Sequence, residues 1–190
     1  MAVLVSDSLV KSPEYYMELA LSQARLAQMY GEIPVGCVIV DELGHIVGQG
    51  CNMTITLSDP TAHAEVMALR DAGGRLKNYR LPNLSLYVTL EPCCMCSGAI
   101  IHSRIKHVYY GASDLKTGAC GSMFNVLNDL RHNHHPEITG GILKDECAEV
   151  LKQFFKYRRK MNKLGMNYLK ERELLRNLEK KWLFAKSVAN

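Results

Sequence analysis

Residues 84–103, LSLYVTLEPCCMCSGAIIHS, constrain the fold more than any other stretch. LSLYVTL is a β-branched and aromatic run of strand type, and it passes without a loop into EPCCMCSGAIIHS, which reads as a helix beginning near Pro92. Another strand-like run, IKHVYYGA at 105–112, follows at once, and strands joined through a helix can lie parallel. Cys93 and Cys96 stand three apart at the helix start, so both side chains share one face. The positive end of a helix stabilises thiolates there. This is half of a soft-metal site, although CxxC alone also suits a redox pair or two buried cysteines.

The flanking segments complete an α/β pattern. Ser12 and Pro13 suit an N-cap and a first helical residue, ahead of an apolar stripe at Met17, Ala20, Leu21, Ala24 and Ala27 that ends before Gly31. PVGCVIV (34–40), the polar turn DELGH and IVGQGC (46–51) predict an antiparallel hairpin. Asp59 and Pro60 mark a helix start, with Gly73 and Gly74 as its stops. A short helical piece at 123–127 and a fifth strand in EITGGI are expected next, then an amphipathic helix in DECAEVLKQFFKYRRK with Val150, Leu151, Phe154 and Phe155 on one side. Gly165 interrupts that helix, and an added C-terminal helix resumes beyond it, with Leu174, Leu175, Leu178 and Trp182 at helical spacing. The expectation is a layered domain with helices covering a mixed sheet. At 190 residues and 47% hydrophobic, the chain has length for one good core, placed at 1–163, and an extension at 164–190.

No apolar run approaches the ~18 residues of a membrane span, and the N-terminus lacks a secretory pattern. Seven cysteines, three of them crowded at 93, 94 and 96, do not resemble a disulfide framework, so reduced thiols in a cytoplasm are expected. Charge is unevenly spread. Residues 1–155 carry 12 Lys and Arg against 16 Asp and Glu, whereas residues 156–190 carry 11 against 3. That end suits a polyanionic partner, and equally a solvated basic helix.

His63, in PTAHAEVMALRDAGG, adds a third nitrogen or sulfur donor to Cys93 and Cys96. Three protein ligands leave zinc one open position, whereas structural sites have four. The alternatives for a fourth are Cys94, His102 and the cluster His132, His134, His135. Cys94 should point away between the ligands, and His102 lies almost two helical turns beyond Cys96. Glu65 lies about 200° around a helix axis from His63, yet at a helix tip it can stand beside the open position and move protons. Its plainer role is to complement the helix dipole.

HAE at 63–65 followed by PCxxC at 92–96 resembles the signature of the zinc-dependent cytidine/deoxycytidylate deaminase superfamily. The longer runs EIPVGCVIV, DPTAHAE, LYVTLEPCxMC, GAIIHSRI and YGASDLKTGACGS are similar to its tRNA adenosine deaminase branch over about residues 13–160. The resemblance implies a three-layer fold, a mixed five-stranded sheet with helices on both faces. It implies one Zn2+ per subunit held by His63, Cys93 and Cys96, with Glu65 as general acid and base. The implied reaction is hydrolytic deamination of adenosine to inosine at the wobble position of a tRNA anticodon stem-loop. Asn52 would read the purine edge, and Asp114, Lys116 and Asn133 would lie along the RNA groove. Without the resemblance, Asn52 is a turn residue and the others belong to polar loops. The family also implies a homodimer whose pockets are completed across the interface. Lys156, Arg158, Arg159 and Lys160 offer charge for phosphates. A small-molecule cytidine, deoxycytidylate or guanine deaminase shares HAE and PCxxC; the YVTLEPC and DLKTGA runs and the basic helix favour the RNA enzyme. The segment after about Lys163 has no counterpart in the pattern.

Overall fold

The structure is a computed structural model and describes residues 10–165. Helix α1 (Pro13–Met29) opens as its sequence predicts: Ser12 is the N-cap, and its hydroxyl accepts from the Tyr15 N–H. Strands β1 (Gly36–Val40) and β2 (Ile46–Cys51) then form the antiparallel hairpin. Three further strands, β3 (Ser85–Leu90), β4 (His107–Ala112) and β5 (Glu137–Gly140), complete one sheet in the order β2-β1-β3-β4-β5. β1 runs antiparallel to β3, while β3, β4 and β5 are mutually parallel along their pairings, so the mixed five-stranded sheet is borne out.

Alternation along the central strands assigns the two faces. Val38 and Val40 of β1 and Tyr87 of β3 pack with Tyr16, Met17 and Leu21 of α1. Cys37, Ile39, Leu86 and Val88 point the other way, toward α3 (Ala64–Leu76) and α4 (Cys94–Ser103), where Ala64, Ala68, Ile100 and Ile101 meet them. β1 is buried at every residue because both of its faces are covered, which is why GCVIV lacks polar alternation. Each fully buried large apolar side chain contributes roughly 1.5–3 kcal/mol. β2 lies directly on α3: a Cβ at Gly50 would fall 2.5 Å from the Ala68 nitrogen and 2.6 Å from the Ala64 oxygen. The sheet therefore fixes where the first turn of α3 sits.

Helix α5 (Lys144–Lys163) begins with Cys147 and Val150 packed in the α1-side cluster. The chain divides into two units, residues 1–151 and 152–190, with the boundary inside α5. The expected added helix lies outside the described residues beyond Gly165.

Three local expectations are corrected. Pro60 does not begin a helix: Asp59 closes a turn by accepting from the Thr61 N–H and hydroxyl at 2.8 and 2.7 Å, and α3 starts only at Ala64. α3 also runs through Gly73 and Gly74 to Leu76 and ends on Lys77, which takes the left-handed conformation expected of a glycine. No helix forms at 123–127. That stretch is a set of turns, because the Met123 and Phe124 N–H groups donate to the Gly118 carbonyl and those of Val126 and Leu127 to the Ala119 carbonyl instead of forming a helical ladder. A short helix at Thr54–Leu57, α2, was not anticipated; the Glu32 carboxylate accepts from the Ile55 and Thr56 N–H groups and the Thr54 and Thr56 hydroxyls and holds it in place.

Candidate metal and catalytic centre

Two helix starts and one strand end converge on a single point. Asn52, directly after β2, donates its N–H to the Val35 carbonyl at 3.1 Å. Its side-chain Oδ1 accepts from the Ala64 N–H at 2.9 Å, satisfying a donor of the first turn of α3. His63 is the N-cap of α3 with extended backbone (φ −75°, ψ 155°), so its ring is not bound to a helical face. The 200° separation from Glu65 on an ideal helix therefore does not apply, and both side chains can approach the same space. Cys93 is likewise the N-cap of α4, one turn before Cys96.

The His63 Nδ1 lies 3.7 Å from the Cys93 Sγ and 3.6 Å from the Cys96 Sγ, and the three donor atoms fall within 4.8 Å of one another. A tetrahedral ion with its sulfurs at ~2.3 Å and its nitrogen at ~2.0–2.1 Å requires N and S about 3.6 Å apart. The donor set and the spacing both fit zinc. Among the described residues, this is the only group of three or more His, Cys, Asp or Glu side chains close enough to hold a metal. The candidate fourth ligands stand apart: Cys94 and His102 are exposed, and the Nε2 of His134 is bonded to the Ile105 carbonyl at 2.6 Å. His132 and His135 join no such group. Three protein donors leave a zinc ion one position for water, the number that a catalytic site has.

Glu65 is buried (4% exposed), and burial is the main reason its carboxyl rises to about 7; the neighbouring Cys93 thiolate pushes the same way. Cys93 is held down to about 4, first by its contact with the Cys96 thiol and then by His63. Cys96 moves up because it is the partner that keeps its proton, and His63 moves up through its contact with Cys93.

Asp114 and Lys116 lie on the loop after β4, which is tied to the Cys93 segment by the Asp114 N–H bond to Glu91 and by the bridge between Gly118 and Cys93. The Asp114 carboxylate accepts from the Lys116 N–H at 2.9 Å and from the Thr117 hydroxyl at 2.7 Å, while the Lys116 side chain is exposed. Asn133 is not brought to this point. Its Oδ1 accepts from Arg104 Nη1 at 2.7 Å, and Arg104 caps the C-terminal end of α4, a helix about 15 Å long whose other end carries Cys93.

Sequence reading missed two residues. Glu91 (2% exposed) accepts from the N–H groups of Asp114, Cys120 and Ser122 and from the Ser122 hydroxyl. Glu32, fully buried, performs the equivalent task for α2. Each is an acid directly bordering an apolar stretch, where an unpaired carboxylate would be costly, and that is the signal that could have found them.

Residues 10–112 match the family model for the cytidine and deoxycytidylate deaminase zinc-binding region. The chain belongs to that deaminase family. A tRNA-specific adenosine deaminase of Haemophilus influenzae is 51% identical to this deaminase over 168 residues, 88% of this chain and 94% of the relative. A solved structure from work on A-to-I editing by tRNA:A34 deaminases at the wobble position superposes with a TM-score of 0.70 at 43% identity, covering 72% of this chain and 99% of that one. Guanine deaminase from Nitrosomonas europaea shares the fold, with a TM-score of 0.68 at 23% identity over 76% of this chain and 85% of its own. The three-layer deaminase fold expected from sequence is thus confirmed, and the His-Cys-Cys group lies in a zinc-binding deaminase domain.

Proposed function

We propose that this deaminase converts adenosine to inosine by hydrolysis at the wobble position of a tRNA anticodon. The observation that carries the reading is the buried Glu65 carboxyl standing against the His63, Cys93 and Cys96 donor set. A structural zinc site has no use for a buried acid there.

Zinc held by His63, Cys93 and Cys96, one per subunit, supplies Lewis-acid activation of a water when bound. Glu65 accepts the proton that water gives up as it adds to C6 of the purine. The same carboxyl delivers that proton to the ring nitrogen, then takes the second proton from the hydroxyl now on C6 and passes it to the departing amine, so that the C–N bond breaks, C6 becomes a carbonyl and ammonia leaves. Cys93 is the N-cap of α4, and its N–H would stabilise the charge that develops at the attacked centre, a role that helix tips suit. Asn52 has committed Oδ1 to Ala64, so its Nδ2 is the group left to donate to the purine edge.

RNA binding follows from charge and reach. Unpaired anticodon-loop bases enter a pocket at little unstacking cost. Asp114 and Lys116 meet the RNA beside the centre. Asn133 meets it farther along, where Arg80, Arg104, Lys106 and His134 line a 660 Å³ pocket that contains no acid. The protein works as a cytoplasmic homodimer, with residues 1–163 as the deaminase domain and 164–190 as an extension. No described helix is long and apolar enough to cross a membrane.

The alternative, a small-molecule cytidine, deoxycytidylate or guanine deaminase, is separated by a direct assay. Separate incubations with tRNA carrying adenosine at the wobble position and with free nucleosides and bases should yield inosine only in the tRNA, read by nucleoside mass spectrometry. Ammonia release from the small molecules alone would overturn the reading.

A further inference from the structure

Glu91 is buried without a cationic partner among the described residues. Its charge is met by four donors, all from one loop. Oε2 accepts from the Asp114 N–H at 3.0 Å and from the Ser122 hydroxyl, and Oε1 accepts from the N–H groups of Cys120 and Ser122 at 2.9 and 3.1 Å. Charge-assisted bonds of this kind are stronger than neutral ones, and four of them on one carboxylate fix the loop at both of its ends. Gly118 lies at the bottom of the loop: a Cβ there would fall 2.5 Å from the Glu91 Cδ and 2.6 Å from Oε2.

The clamp is joined to the zinc-ligand segment. Glu91 is two residues from Cys93, the Ala119 N–H donates to the Pro92 carbonyl at 2.8 Å, and Cys93 and Gly118 form an isolated antiparallel bridge. On its outer side the same loop presents Leu115 (80% exposed), Lys116, Met123 (58%) and Phe124 (47%) to solvent. Apolar and aromatic groups next to a lysine are what unstacked bases and their phosphates settle on. A loop already held in shape does not lose conformational freedom on binding.

We propose that Glu91 is a positioning residue that fixes the 114–124 loop beside Cys93 as a preformed wall for the unpaired nucleotides next to the target adenosine. The inference rests on the RNA deaminase reading above. Glu91 does not touch the reacting atoms; it acts through the Asp114, Cys120 and Ser122 amides. Glu91→Gln preserves shape but turns one acceptor into a donor, so at least one amide in the clamp faces another N–H.

The test uses the full chain with an anticodon stem-loop. Glu91→Gln should keep its zinc by metal analysis, raise KM for the stem-loop about tenfold, leave kcat within about twofold, and speed amide exchange at Cys120 and Ser122. Ser122→Ala, which removes one donor only, should shift KM in the same direction by a few fold, and it decides the matter if Glu91→Gln does not fold. A fall in kcat at unchanged KM, loss of zinc, or kinetics equal to wild type in a variant whose amides exchange faster would each overturn the proposal. Should the wild-type chain form no inosine in any RNA, the functional reading fails by itself. Filter binding of the unreacted stem-loop then decides whether the clamp serves RNA, equal affinity of wild type and Ser122→Ala counting against it.

Discussion

The Asn52 side-chain carbonyl accepts from the Ala64 N–H at 2.9 Å, tying the end of β2 to the first turn of α3. His63 and Glu65 flank Ala64, so this one bond locates a metal ligand and the acid together. It also divides the labour of the Asn52 amide: the oxygen holds the protein, which leaves the nitrogen for the proposed contact with the purine.

Asn52→Asp keeps the acceptor at a helix start and loses the donor. Its melting temperature should stay within a few degrees of wild type while inosine formation on tRNA falls at least about tenfold. Asn52→Ala loses both and should also lose about 1–3 kcal/mol of stability in denaturant titrations. If Asn52→Asp retained full activity, the donor would have no part in substrate recognition.

Glu65 and the three ligands should separate cleanly. Glu65→Gln removes the proton carrier but no metal ligand, so zinc content should be unchanged and the rate of inosine formation should drop by about 10²–10⁴ or more. Cys93→Ala should lose zinc as well as activity. Metal analysis beside a single-turnover assay checks both, and an active Glu65→Gln protein would remove Glu65 from the chemistry.

How much of this was legible beforehand depends on what each feature needed. His63, Cys93 and Cys96 could be read because metal chemistry demands particular atoms and their spacing leaves few options. The five strands could be read because β1 and β3 are β-branched and buried on both faces. Pro60 misled because a proline that can start a helix can also occupy a turn, and only the Asp59 bonds to Thr61 decide between them. The 123–127 segment misled for a different reason: its amides bond back to the Gly118 and Ala119 carbonyls, in a loop that Glu91 holds through the distant Cys120 and Ser122 amides, and no local propensity records that. For Glu32 and Glu91 the sequence offers only an acid beside an apolar stretch; their partners could not be read, because hydrogen bonds to distant backbone leave no period in the sequence.

Removing zinc should be reversible at the level of the site. A strong chelator should abolish inosine formation, and added Zn2+ should restore it. Because zinc binds the folded site and not the unfolded chain, the metal-free protein should melt at a lower temperature. Unchanged melting after verified metal loss would mean that His63, Cys93 and Cys96 are held without help from the ion.

Gly118→Ala tests the floor of the Glu91 clamp from the other side. Its Cβ would press on the Glu91 carboxylate and on the Asp114 carbonyl, both at 2.5 Å, so the loop must move. Overpacking of this kind costs about 1–3 kcal/mol. The melting temperature should fall, and the Asp114 and Ser122 amides should exchange faster than in wild type. A variant with wild-type melting and wild-type exchange would show that the loop tolerates displacement and is not clamped.

Acid should loosen the same loop through Asp114. Burial pushes its carboxyl up, but the Thr117 hydroxyl and the Lys116 and Thr117 N–H groups together pull it down further, leaving it below the ordinary value. A carboxyl lowered in the folded state contributes stability that is complete above the unfolded value of ~3.9 and is lost as pH falls through the lower folded one. From pH 8 to about 5 the turn should therefore keep constant protection, and it should open only below about 4. Amide exchange at Lys116 and Thr117, corrected for the intrinsic pH dependence of exchange, reads this directly. Asp114→Asn should show weaker protection with no acid transition of its own. A transition centred near pH 6 in wild type would assign the loosening to a different group.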